Sequence, residues 1–275
     1  MTTLIGVELL KIKKRRMSFI LLGVLVFFFC LTFSLYYYVV VSSGESYRAA
    51  LAMPLQFPDA IDLIFSTAQS AGSLVLVILA SFMVGEEYGQ GTVRQMMARV
   101  RTRSRYLGAK ILSLLIIVLI VTAISLIVGT ILASFTTSKL GGLSLDFITL
   151  SLLGEVAKMF GGTALTLAVN SFLAVLFTIL ARSAWAGIGG YIGYGLVEGI
   201  VSTVLSMGEG WPKDISQYLI GPNTFAFVHL EIEEFSFWLP EFYPSAIHAT
   251  AVLLCWCAFF LGISFYLFRR RDITA

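Results

Sequence analysis

Two adjacent acids, Glu86 and Glu87, open the stretch of this chain richest in chemistry, GEEYGQGTVRQMMARVRTRSRYLGAK, from Gly85 to Lys110. Carboxylates come first, then Gly91 and Thr92, then Arg94, Arg99 and Arg105, and finally Lys110. Charges of both signs in so short a stretch suit a grip on another macromolecule. A second feature is Glu198, an acid inside an apolar run, where an ionised carboxylate costs several kcal/mol unless it is paired or hydrated. It is expected to face the protein interior, where it could line a substrate path, meet another subunit, or be neutral and hydrogen-bonded. Asn170 and Thr178 suit helix packing, and Asn170 is with Glu198 a candidate for a translocation path. Glu155 and Lys158, three residues apart, suit a local pair.

None of this forms a catalytic set. The two histidines, His229 and His248, are isolated, and there is no H-E-x-x-H, no metal-ligand spacing and no convergent nucleophile and base. The three cysteines, Cys30, Cys255 and Cys257, lie in apolar runs and read as packing or lipid-facing residues. No G-x-x-x-x-G-K-[ST] phosphate loop occurs, so ATP is not expected to bind this chain in the P-loop manner, no cofactor is expected in it, and work must be driven by a partner or a gradient. Basic residues sit beside apolar runs rather than on a basic domain with stacking aromatics, which argues against nucleic-acid binding despite a net charge of +3.

The elements that position these residues follow from composition. Of 275 residues, 58% are hydrophobic and 13% charged, against about 25% charged in a soluble domain. The charges cluster between apolar runs long enough to cross roughly 30 Å of hydrocarbon. The expected spans are 19–41, 64–84, 111–135, 160–181, 184–206 and 246–268. The second reads as the weakest, diluted by Ser66, Thr67, Gln69 and Ser70, which must bond to neighbouring helices or line water. The first is expected to be retained rather than cleaved, because the run is too long for a signal peptide and the later apolar segments need an anchored topology. Alternate connections hold fifteen of the 19 Lys and Arg residues, which predicts both termini in the cytoplasm. The fold class expected is all-α integral membrane, one transmembrane domain over 1–275 with six spans.

Three further segments stand out. Residues 1–18 read as an interfacial helix, with Ile5, Leu9 and Ile12 on one face and Glu8, Lys11 and Lys14 on another. Residues 85–110 read as a cytoplasmic helix with Val93, Met96 or Met97, and Val100 as its apolar stripe. The outer segment 207–245 is too apolar for a free loop and too rich in proline to span; short re-entrant or interfacial helices are expected over 215–220 and 225–231, as a cap or gate. Six glycines between Gly187 and Gly199 give the fifth span a smooth surface suited to close contact within the bundle or across a dimer.

With Glu86 and Glu87, Gly91-Thr92, Arg94, the Arg105 to Lys110 spacing and the ending FYLFRRRDI, the chain resembles the membrane subunit of type-2 ABC transporters. That resemblance implies a coupling helix after the second span that docks on an ATPase subunit. Glu86, Glu87, Gly91, Thr92, Arg94, Arg99, Arg105 and Lys110 would be its coupling residues. It also implies two separate ATPase chains carrying ATP and Mg, a second permease copy or homologue, surrounding membrane lipid, and a location in the cytoplasmic membrane. The expected cargo is amphipathic or hydrophobic, of the drug or antimicrobial-peptide class. The rival reading is a secondary transporter driven by an ion gradient through Glu198.

Overall fold

A computed structural model describes residues 2–89, 103–140, 149–208, 210–228 and 244–270. Every element in it is helical: α1 (Thr2–Lys14), α2 (Arg16–Ser42), α3 (Glu45–Ala52), a 3-10 turn (Met53–Leu55), α4 (Ala60–Gly89), α5 (Arg103–Leu140), α6 (Leu150–Ala181), α7 (Ala184–Ser206), α8 (Trp211–Ser216), α9 (Ile220–Phe225) and α10 (Ala246–Arg270). Six of these, α2, α4, α5, α6, α7 and α10, are long and apolar enough to cross a membrane. Each contains one expected apolar run, and α7 coincides with its run end to end.

The helices outlast the runs, and the excess matters. The 30 residues of α4 and 38 of α5 amount to ~45 and ~57 Å at 1.5 Å per residue, against a hydrocarbon core of ~30 Å. Contacts place the surplus. The last turn of α4 meets the first of α7, where a Cβ on Gly85 would lie 2.4 Å from the Ala184 nitrogen. The first turn of α5 meets the last of α10, where Tyr106 stacks on Phe268 with ring centroids 6.2 Å apart. α1 packs on α5 and α2 beside them. The Lys and Arg of α1, the start of α5, Arg182 and the end of α10 therefore share one end of the bundle, hereafter the basic end. At the other end the Thr136 and Thr137 hydroxyls of α5 both donate to the Leu55 carbonyl before α4.

α4 and α6 form the centre, the most buried of the spans, and pack on each other. Their polar residues bond across that contact: Gln69 donates to the Thr163 hydroxyl at 3.2 Å, and Asn170 to the Ser73 hydroxyl at 2.8 Å. Gln69 and Asn170 thus have the neighbouring-helix partners their positions demand. α4 is not the weakest span, however; α7 is the least apolar, because its many glycines contribute little hydropathy. Its glycines divide. Gly187 seats against Thr178 and Ser81 and Gly190 against Phe177, while Gly189, Gly193, Gly195 and Gly199 face open space. Cys257 is buried, and Cys30 and Cys255 lie on helix surfaces, all three as free thiols.

Other expectations need correction. The first helix stops at Lys14 instead of reaching residue 18, since Arg15 takes an extended backbone (φ −78°, ψ 126°) that separates α1 from α2. The two short helices of the outer segment are Trp211–Ser216 and Ile220–Phe225, four to six residues before the expected positions. Proline explains the shift: Pro212 and Pro222 sit in first turns, where a missing N–H is harmless, and so start helices rather than break them. Glu155 and Lys158 are exposed and form no ion pair with each other.

Candidate functional site

Four ionisable side chains from three helices converge inside the basic end. α1 lays Leu9 and Ile12 against the apolar core of α2, α4 and α5, which carries the neighbouring Glu8 inward until it is 6% exposed. Glu87, in the last turn of α4, is also 6% exposed, and Lys110 of α5 is 3% exposed. The Lys110 ammonium has three protons to donate and three acceptors for them: Glu87 Oε1 at 2.9 Å, Glu8 Oε2 at 3.2 Å and the Met83 carbonyl at 2.8 Å. Lys11 reaches Glu8 Oε1 at 2.7 Å and Glu87 Oε1 at 3.4 Å. The second Glu87 oxygen accepts from the Tyr106 hydroxyl. Tyr106 lies one turn before Lys110 on α5, with the ammonium 5.2 Å from its ring centre.

Two carboxylates and two ammonium groups sum to zero charge, which is how such a cluster can be withdrawn from water. Burial would by itself raise the Glu8 carboxyl, yet the charges of Lys110 and Lys11 outweigh it and hold that group below its usual value of 4.5. The cluster fastens α1, the end of α4 and the start of α5 to one another. Through the Tyr106 stack on Phe268 it also reaches α10.

Glu87 and Lys110 therefore turn inward, and neither presents its charge to a partner in this conformation. Glu86 remains at the surface, about a third exposed, and pairs with Arg15 at 2.7 Å. Arg105 is exposed. Gly91, Thr92, Arg94 and Arg99, with the expected stripe of Val93 to Val100, lie outside the described residues. Sequence reasoning placed Glu8 and Lys11 on a different face from Ile5, Leu9 and Ile12 and gave Tyr106 no role. The signal available was an acid one position before Leu9, in a segment otherwise devoid of acids, opposite a lone lysine at the start of a span.

A second site lies toward the other end. Asn170, Tyr191, Tyr194, Glu198, Ser202 and Thr224 line an open cleft of about 300 Å³ between α7 and α9. The half-buried Glu198 faces it. Its Oε1 accepts from the Gly221 N–H at 3.0 Å, and the Ile220 N–H and Tyr194 hydroxyl bond to the same carboxyl. Glu198 thus satisfies free backbone donors at the start of α9, joining α7 to the outer segment. Asn170 and Glu198 both line this cleft.

A family described as "Protein of unknown function (DUF2705)" matches residues 50–274, most of the chain. No curated protein matches it.

Proposed function

We propose that this chain, which belongs to the DUF2705 family, is the permease subunit of an ATP-driven exporter. In this reading two ATPase subunits, separate chains holding ATP and Mg, dock at the basic end. A second copy or homologue completes the pathway, and the cargo is amphipathic or hydrophobic. The alternation of Lys and Arg supports a cytoplasmic basic end, with α1 as the interfacial helix and α8 and α9 at an outer gate.

The observation that carries the reading is the buried cluster. Residues 90–102 leave α4 just after Glu87 and enter α5 just before Tyr106, and those two side chains are bonded to each other. Lys110 adds a second bond across the same base at 2.9 Å. A force applied to 90–102 is thereby delivered to α4 and α5 together, and through Glu8 to α1, instead of dissipating in a hinge. Glu87 and Lys110 serve here as positioning residues; Glu86, Arg94, Arg99 and Arg105 remain the candidates for direct contact. A central helix such as α4, packed on α6 and α7, then transmits the tilt toward the cleft.

The test is in-membrane cross-linking from a photoreactive residue at position 94 or 105, with mass spectrometry of what is captured. A captured chain bearing a phosphate loop, lost on reversal of Arg94 and Arg105 to Glu, supports the proposal. Capture of no such chain overturns it. The cleft favours a second reading, a gradient-driven transporter using Glu198. Glu198→Gln abolishing transport that persists under ATP depletion would select it.

A further inference from the structure

Charges on α1, the α1–α2 junction and the buried cluster divide into two sets. Glu8, Glu86 and Glu87 are paired with Lys11, Arg15 and Lys110. Lys13, Lys14 and Arg16 are exposed, and no ion pair involves them among the described residues. The chain thus neutralises Lys11, Arg15 and Lys110 and leaves Lys13, Lys14 and Arg16, on the junction between α1 and a span, uncompensated.

A groove of about 290 Å³ opens beside Lys13. Its walls are Leu22 and Leu25 of α2, Val75 and Leu79 of α4, and Val121 and Ile124 of α5, and its polar margin is Lys13 and Ser18. From Ser18 to Leu25 the groove runs ~10 Å along α2 at 1.5 Å per residue. That is the upper part of one leaflet's hydrocarbon, whose half-thickness is ~15 Å. Apolar walls under a cationic mouth suit an alkyl chain that ends in an anionic headgroup.

We propose that this groove is a binding site for one acyl chain of an anionic glycerophospholipid, with Lys13 and Ser18 at its phosphate and Lys14 and Arg16 adding attraction. Charge complementarity selects the headgroup: an unpaired ammonium at the mouth of an apolar slot favours a lipid of net negative charge over a zwitterionic one. The site requires α1 to lie at a membrane surface, and does not depend on the exporter reading.

Native mass spectrometry of the full chain in a neutral detergent, titrated with phosphatidylglycerol or with phosphatidylcholine of the same chains, tests it. One phosphatidylglycerol per chain is expected to survive activation, with phosphatidylcholine lost. Lys13→Gln, at an exposed position, should weaken phosphatidylglycerol binding roughly fivefold. Ile120→Trp, on the groove margin at 49% exposure, should abolish retention, while Ile127→Trp, at 60% exposure and outside the groove, should not. Equal retention of both lipids, or an unchanged affinity in Lys13→Gln, overturns the proposal. So does full retention in Ile120→Trp, which would reduce the interaction to surface attraction alone.

Discussion

Replacing Lys110 with Met isolates the contribution of the buried cluster. Met has nearly the shape of lysine without the charge, so packing is preserved while the cluster passes from neutral to one net negative charge. Two carboxylates that are 8% exposed would then share Lys11, their 27% exposed partner. Three hydrogen bonds vanish with the ammonium, to Glu8, Glu87 and the Met83 carbonyl. Removing one partner from a buried ion pair costs about 3–5 kcal/mol, and with side chains this buried little solvent screening is available to reduce it. Equilibrium unfolding in mixed detergent micelles should register a loss of that size. The decisive comparison is Lys110→Met with Glu8→Gln, which restores neutrality by leaving Glu87 to Lys11. That double variant should be more stable than Lys110→Met alone by at least ~1 kcal/mol, the sign of coupling between contacting residues. A single-variant loss below ~1 kcal/mol, or a double variant no better than the single, would refute the claim that charge balance holds the basic end together.

Arg15→Ala offers the contrast: the Arg15 and Glu86 side chains are 32% and 30% exposed, so in the same unfolding assay their separation should cost under ~1 kcal/mol. Gly85→Ala should destabilise by about 1–3 kcal/mol, because its Cβ would strike the Ala184 backbone, whereas Gly89→Ala meets nothing within 4 Å and should be neutral or stabilising. Glu8 is held below its usual 4.5 while α1 is docked; its ionisation therefore favours docking above that value and is lost as pH falls through the docked value. A fluorophore at Val7 should report α1 static from neutral pH down to 4.5 and loosening below it, with a shallower transition in Glu8→Gln. Glu198→Ala should expose the start of α9, at a cost of about 1 kcal/mol for a lost helix cap, and raise thiol labelling of a cysteine placed at Thr224; unchanged labelling would remove Glu198 from that role.

Spans were legible in the sequence because their cause is local. A run of about twenty apolar residues must leave water wherever its neighbours go, so α7 begins and ends where hydropathy says, and each of the other five contains its run. Paired polar side chains at Gln69 and Asn170 followed from the same rule, since hydrocarbon offers no other partner. What the sequence could not specify is which charge meets which. Glu8 and Lys110 stand 102 positions apart, and Lys11 and Glu87 stand 76 apart. Nothing local distinguishes an acid that turns into the bundle from one that faces water, and periodicity in α1 alone put Glu8 on the wrong side. Packing decided it, because α1 lies against α5 and α2 and its core-facing stripe carries Glu8 with it. The start of α9 was likewise settled by Glu198 on another helix, which supplies the acceptor that its free N–H groups need. Solvent avoidance is a property of a segment and is written in the chain; charge neutralisation is a property of an assembled volume, and exists only once distant helices share it.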